Sequence, residues 1–152
     1  MIEQVIPTSF FTRTLARCAG YPSAQRFLCD VVRHDLPIRD SGSRLWRDNL
    51  YRRSDLVKAL VLGKLRTLGF PASKAGPWLN QIDHDEVEQA MAKLQARGGG
   101  NLWLVISPLG GSLLVDHAAA LANAVSDFEE SLTIDLAGAL IGNHEPHEEE
   151  AA

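Results

Sequence analysis

Only two cysteines, Cys18 and Cys29, occur in 152 residues. That is too few for the disulfide framework of a small secreted domain. Both fall on expected helix faces, so they read as reduced core thiols, with a redox or metal role as the alternative. No run is long and apolar enough to span a bilayer. The first seven residues carry Glu3 and no basic cluster, so they do not read as a secretory signal, and a cytoplasmic location is expected. The phosphate-cradling Gly-x-x-x-x-Gly-Lys, the zinc-binding His-Glu-x-x-His and the paired Cys-x-x-Cys are all missing. No catalytic residue, metal ligand or cofactor is therefore assigned, and the chain is read as a non-enzyme.

What is present is an ordinary globular composition, 45% hydrophobic and 22% charged, which argues against wholesale disorder. The net charge of −4 hides a strong asymmetry. Residues 1–70 hold 12 Lys and Arg against 6 Asp and Glu; the remainder holds 3 against 13. A half at +6 joined to a half at −10 suggests that one binds a polyanion and the other repels it. Ten of the twelve bases are arginine, whose planar fork suits bidentate phosphate or guanine contacts. The bland alternative is a solvated basic surface.

The most telling stretch is 51–70. Ser54 or Asp55 can cap a helix there, accepting from backbone N–H groups that lack an intrahelical partner. Leu56, Ala59, Leu60, Leu62 and Leu65 recur at helical spacing and form an apolar face. Gly69 supplies the left-handed residue that ends a helix, Phe70 folds back, and Pro71 prevents continuation. Upstream, Thr8 or Ser9 caps a first helix reaching Cys18, with Phe10, Phe11, Leu15 and Ala16 apolar. Pro22 suits the first turn of a second helix over 23–34, with Phe27, Leu28, Val31 and Val32 apolar. Residues 40–43 are turn chemistry, flanked by strands at 44–47 and 50–51.

Tyr51, Asp55, Leu56, Leu65, Arg66, Leu68, Gly69 and Phe70 match without a gap a segment of MerR-family winged helix-turn-helix DNA-binding domains. Ala75, Trp78 and Leu79 continue that match as the apolar face of a short helix. Residues 15–20 resemble the family's first helix and tight turn, and Leu36 and Pro37 resemble the exit of its recognition helix. The resemblance covers the first half of the chain; the family's Tyr-Tyr-Glu on the recognition helix is absent here. It implies a recognition helix with Ser23, Gln25, Arg26 and Arg33 on or near its polar side. It further implies phosphate contacts from Arg39, Arg44, Arg47, Tyr51, Arg52 and Arg53 on and around the wing. A nucleoid-associated location within the cytoplasm follows from the same resemblance.

Asp83 should cap a helix over 84–97 with Val87, Met91 and Leu94 on one face. The acidic group around His84 suits a helix start. After about four turns the helix meets Gly98, Gly99 and Gly100, which read as a linker between a domain at 1–97 and one at 101–142. Residues 102–106 read as a strand with Trp103 in its core, 107–111 as a turn and 112–115 as the returning strand. Asp116 should cap an alanine-rich helix, and Leu132, Ile134 and Leu136 alternate as a strand. The fold class is thus α+β: a mostly helical winged domain followed by a small α+β unit. About fifty residues make a marginal core alone. A homodimer through Leu102, Trp103, Leu104, Ile106, Leu132, Ile134 and Leu136 is therefore expected, with a protein or small-molecule effector as a further partner. The acidic tail at 143–152 reads as disordered; metal binding by His144 and His147 is its alternative.

The functional expectation is a homodimeric regulator of transcription that binds double-stranded DNA. One alternative is a phage-repressor or excisionase-like recombination factor. Another, of a different class, is an anti-activator whose winged-helix surface docks a protein.

Overall fold

The computed structural model describes residues 8–45, 48–108, 111–127 and 131–142. Within them the chain is mixed α+β, with seven α-helices and two three-stranded sheets. It opens as strand β1 (Ser9–Phe11), not as the first turn of a helix. Phe10 faces Tyr51 and Phe11 faces Leu50 across an antiparallel pair. Helix α1 (Thr12–Cys18) begins only after them, with Phe11 at its N-cap position and no side-chain cap. Helix α2 (Ala24–Arg33) follows, capped by Ser23. Strands β2 (Arg44–Leu45) and β3 (Asp48–Arg52) pair antiparallel and complete the first sheet in the order β1-β3-β2.

Helix α3 (Arg53–Thr67) runs through the centre of the molecule. Its cap is two or three residues earlier than the sequence suggests, at Arg52, and Asp55 reaches back to the Arg52 backbone N–H. The expected single apolar stripe is also too narrow. Val57, Val61 and Gly63 are buried along with Leu56, Ala59, Leu62 and Leu65, because the helix is enclosed by its neighbours. It stops at Leu68, where Gly69 takes φ +90°. Phe70 N–H then bonds Leu65 C=O and Gly69 N–H bonds Arg66 C=O, which satisfies carbonyls that the helix leaves open. Phe70 packs edge-on against Trp78. A 3-10 turn (Ala72–Lys74) and helix α4 (Gly76–Leu79) bury Ala72, Ala75, Trp78 and Leu79.

Helix α5 (His84–Ala96) is capped as expected by Asp83, whose carboxylate accepts from Glu86 N–H at 3.0 Å. Val87, Met91 and Leu94 are its buried face. It ends at Ala96 with Arg97 as its C-cap, and Gly98, Gly99 and Gly100 beyond it all take positive φ. Gly99 N–H reaches Leu94 C=O, so the triple glycine is a tight helix-ending turn.

Strands β4 (Trp103–Ser107) and β5 (Gly111–Val115) form a hairpin. Helix α6 (Ala118–Asp127) and strand β6 (Leu132–Asp135) come next, and α7 (Leu136–Gly142) closes the described chain. The second sheet has the order β5-β4-β6. Its two faces follow the strand period of two. Leu104 and Ile106 point into the main core; Val105, with Val115 and Ala124, lies under α6. Asp116 is not the cap of α6: it pairs with Arg97 at 2.8 Å, and the His117 ring accepts from Ala120 N–H at 3.2 Å.

One buried apolar cluster runs from Phe10 to Ala137, across the triple glycine. This changes the part played by the residues expected to hold a dimer. Leu102, Leu104, Ile106, Leu132 and Leu136 are buried inside one chain and offer nothing to a second copy. Trp103 and Ile134 are half-buried. The apolar surplus of the C-terminal half is thus absorbed by the N-terminal half. Polar contacts reinforce that union: Ser112 Oγ donates to Gln81 C=O at 2.8 Å, and Gln81 Nε2 donates to Pro108 C=O at 3.2 Å.

Candidate nucleic-acid interface

The link between α1 and α2 is built from a glycine and a tyrosine. Gly20 takes φ +77°, Gly20 N–H bonds Arg17 C=O, and Tyr21 N–H bonds Ala16 C=O. Only glycine enters that conformation without steric cost, so the chain can leave α1 sharply. Tyr21 then ties the turn to both flanking elements. Its hydroxyl donates to the Asp30 carboxylate at 2.6 Å, and its ring meets Phe27 edge-on at 5.6 Å. The Arg66 guanidinium lies 3.7 Å above the same ring and donates to Ala19 C=O at 2.8 Å. Burial, and then the hydrogen bond to Asp30, push the Tyr21 phenol far above its ordinary pKa. Arg66 is thus spent on locking α2 against α3.

Helix α1 itself lies tight on α3. A Cβ built on Gly63 would overlap the backbone carbonyl oxygen of Cys18, far inside van der Waals contact, so only glycine permits this approach. Nothing local in the sequence marks Gly63, which sits mid-helix where glycine ordinarily costs stability.

On α2, Phe27 and Val31 enter the core while Leu28 and Val32 do not. The expected four-residue apolar face is therefore split. Ser23, Gln25, Arg26, Cys29 and Arg33 are exposed. Ser23 Oγ is committed to the cap, accepting from Arg26 N–H at 3.3 Å. The guanidinium groups of Arg26 and Arg33 form no ion pair among the described residues. Cys29, expected in the core, is on the surface, and Cys18 is only partly covered.

The arginines and tyrosine expected around the wing divide into different environments. Arg44 is exposed on the outer strand of the first sheet. Arg47 lies outside the described residues, as does Trp46. Arg39 is exposed, but its guanidinium donates to Leu36 C=O and Ile38 C=O and pairs with Asp35 at 3.2 Å. It holds the exit of α2, where Asp35 takes φ +48°. Arg52 is half-buried with Nε 3.5 Å from Asp55.

Two of that group are not surface residues at all. Arg53 is 5% exposed and sits 3.7 Å from Glu88 of α5. Tyr51 is buried opposite Phe10, with its hydroxyl bonded to Thr12; burial raises its pKa. Neither can reach a phosphate without unfolding. The loop between α2 and β2 is held by Ser41 Oγ, which donates to Leu50 C=O at 2.8 Å, and by Lys58, which donates to Pro37 C=O at 2.7 Å. Burial lowers the Lys58 pKa.

Other titratable groups are accounted for structurally. Ser54 Oγ is 2.8 Å from His84 Nδ1, which joins the start of α3 to the start of α5. Among the described residues no three His, Cys, Asp or Glu side chains are grouped to hold a metal ion. No helix among them is long and apolar enough to cross a membrane. His144 and His147 lie outside the described residues. No protein-family description, curated protein or solved structure matches this chain.

Proposed function

We propose that the chain is a sequence-specific double-stranded DNA-binding regulator of transcription. In this reading α1, the Gly20 turn and α2 form a helix-turn-helix, and β2–β3 form its wing, as the resemblance to MerR-family domains implies. The observation that carries it is the outward face of α2. There Gln25, Arg26 and Arg33 stand exposed, with both guanidinium groups unpaired among the described residues, on a helix fixed by Tyr21 and Arg66. Rigid placement matters because base recognition tolerates little error in side-chain position. The +6 charge of residues 1–70 supports docking of this half, and the −10 of the remainder keeps the other half off the DNA.

Among the described residues this reading keeps Gln25, Arg26, Arg33 and Arg44 as the candidate contacts. A homodimer belongs to the same reading, because one winged helix offers few base contacts and two symmetric half-sites are the usual remedy. Its interface uses surface other than the buried strands β4 and β6. Exposed Leu28 and Val32 are the one observation that favours a protein partner at the same face.

Selection from a random duplex library, followed by fluorescence anisotropy across a salt series, tests the reading. Arg26→Ala should cost about 1–3 kcal/mol on the selected duplex and less on random DNA, as for a lost bidentate base contact. A residue that contacts phosphate should instead lower the salt slope by about one unit when neutralised. Absence of salt-dependent duplex binding by the full chain would reject the proposal.

A further inference from the structure

Helix α2 presents an apolar strip beside its arginines that neither the core nor a phosphate backbone can use. At about 100° per residue, Gln25, Cys29 and Val32 fall along the middle of the outward face. Leu28 lies on one flank and Arg26 and Arg33 on the other. Val32 is 79% exposed and Leu28 is 37% exposed. Together with Gln25, Cys29 and Arg33 they line one shallow groove. No carboxylate shares that face: Asp30 is turned inward to Tyr21, and Asp35 is beyond the helix, paired with Arg39.

Charge complementarity points to a polyanion on this face, and the apolar strip narrows which groups of it are read. The thymine C5-methyl is the apolar group that a base pair offers in the major groove. The carboxamide of Gln25 suits N6 and N7 of adenine, the base paired with thymine. Gln25 and Val32 are seven residues apart, about 10.5 Å along the helix. That matches roughly three base-pair steps of 3.4 Å for a helix lying along the groove.

We infer that α2 is a reader of A·T base pairs, in which Val32 and Leu28 contact thymine methyl groups and Gln25 contacts adenine. This rests on the DNA-binding reading and goes beyond it by assigning specificity to two aliphatic side chains. Arg33 holds the helix beside the strip, and Arg26 keeps the base contact proposed above.

The test uses the full chain and the selected duplex, with each thymine replaced in turn by deoxyuridine. That change deletes one methyl group and leaves the hydrogen-bonding edge intact. At one or two positions per half-site affinity should fall about fourfold, the loss expected for one buried methyl. Val32→Ala or Leu28→Ala should weaken the unmodified duplex and abolish the sensitivity at one of those positions. Val32→Ala should melt like the parent, because that side chain is 79% exposed. If the duplex binds with normal salt dependence and no deoxyuridine substitution matters, the inference falls while the DNA-binding reading stands. If no duplex binds, both fall. If Val32→Ala leaves every duplex affinity unchanged and alters sedimentation of the free protein, the strip contacts a second copy and the inference is overturned.

Discussion

Replacing Gly63 by alanine should destabilise the fold although alanine is the better helix former. A Cβ at that position would lie 3.1 Å from Ala19 Cα and closer still to the Cys18 carbonyl oxygen. Favourable contact between such atoms needs about 3.5 Å, so α1 and α3 must part by about 1 Å. The obstacles are backbone atoms in the last turn of α1, which is closed by the Gly20 and Tyr21 hydrogen bonds and cannot rotate aside. Overpacking costs about 1–3 kcal/mol, and an overlap of this size belongs at the upper end. Helix propensity returns about 1 kcal/mol. The balance is about 2 kcal/mol of lost stability, or a Tm lower by roughly 4–8 °C for a domain of this size. Urea unfolding followed by circular dichroism measures it. Gly76→Ala is the control, since nothing lies within 4 Å of its added methyl. A Gly63→Ala midpoint equal to or above that of the parent would refute the claimed contact.

Two further substitutions address residues around the proposed interface. Tyr21 and Tyr51 both have raised pKa values in the folded chain. Their contribution is therefore complete below the unfolded value near 10 and is lost as pH climbs from there towards the folded values. Tyr21→Phe should lower stability at neutral pH by about 1 kcal/mol through the lost bond to Asp30, yet make the alkaline decline shallower; an unchanged decline would remove Tyr21 from that account. Arg53→Ala should cost about 1–2 kcal/mol, below the value for a fully buried pair because Glu88 stays partly wet. It should leave the salt slope of DNA binding intact, and a slope reduced by about one unit would return Arg53 to the phosphate contacts.

What the sequence made legible was whatever is decided within a few residues. Gly20 and Gly69 end their helices because left-handed backbone is cheap for glycine; Gly69 is readable from position alone, Gly20 through the family resemblance. Asp83 caps as its chemistry requires, whereas the cap at Ser23 leaves Pro22 outside the helix whose first turn proline suits. The hairpin of β4 and β5 follows from a run of apolar residues broken by proline and glycine. Helical spacing places Phe10 and Phe11 in a helix, but they form a strand that exists only through pairing with Tyr51 and Leu50, some forty residues on. Arg26 and Arg53 are indistinguishable as symbols near helix starts. Tertiary packing alone sends one to solvent and the other beneath α5.

Helix α2 illustrates the limit of periodicity most clearly. Phe27, Leu28, Val31 and Val32 satisfy the spacing of a buried face, and their arc spans about 140° of the helix. The core formed with α1 receives only the Phe27 and Val31 side of that arc. A pattern rule cannot see this, because the width of the buried stripe is set by what packs on it. The same excess that defeats the rule is informative once the neighbours are known. Val32 is 79% exposed, beside two arginines that form no ion pair among the described residues, on a rigidly held helix. Under the DNA-binding reading proposed above, Val32 makes its contact outside the chain, and the surrounding charge favours the edge of a base pair over a second apolar surface.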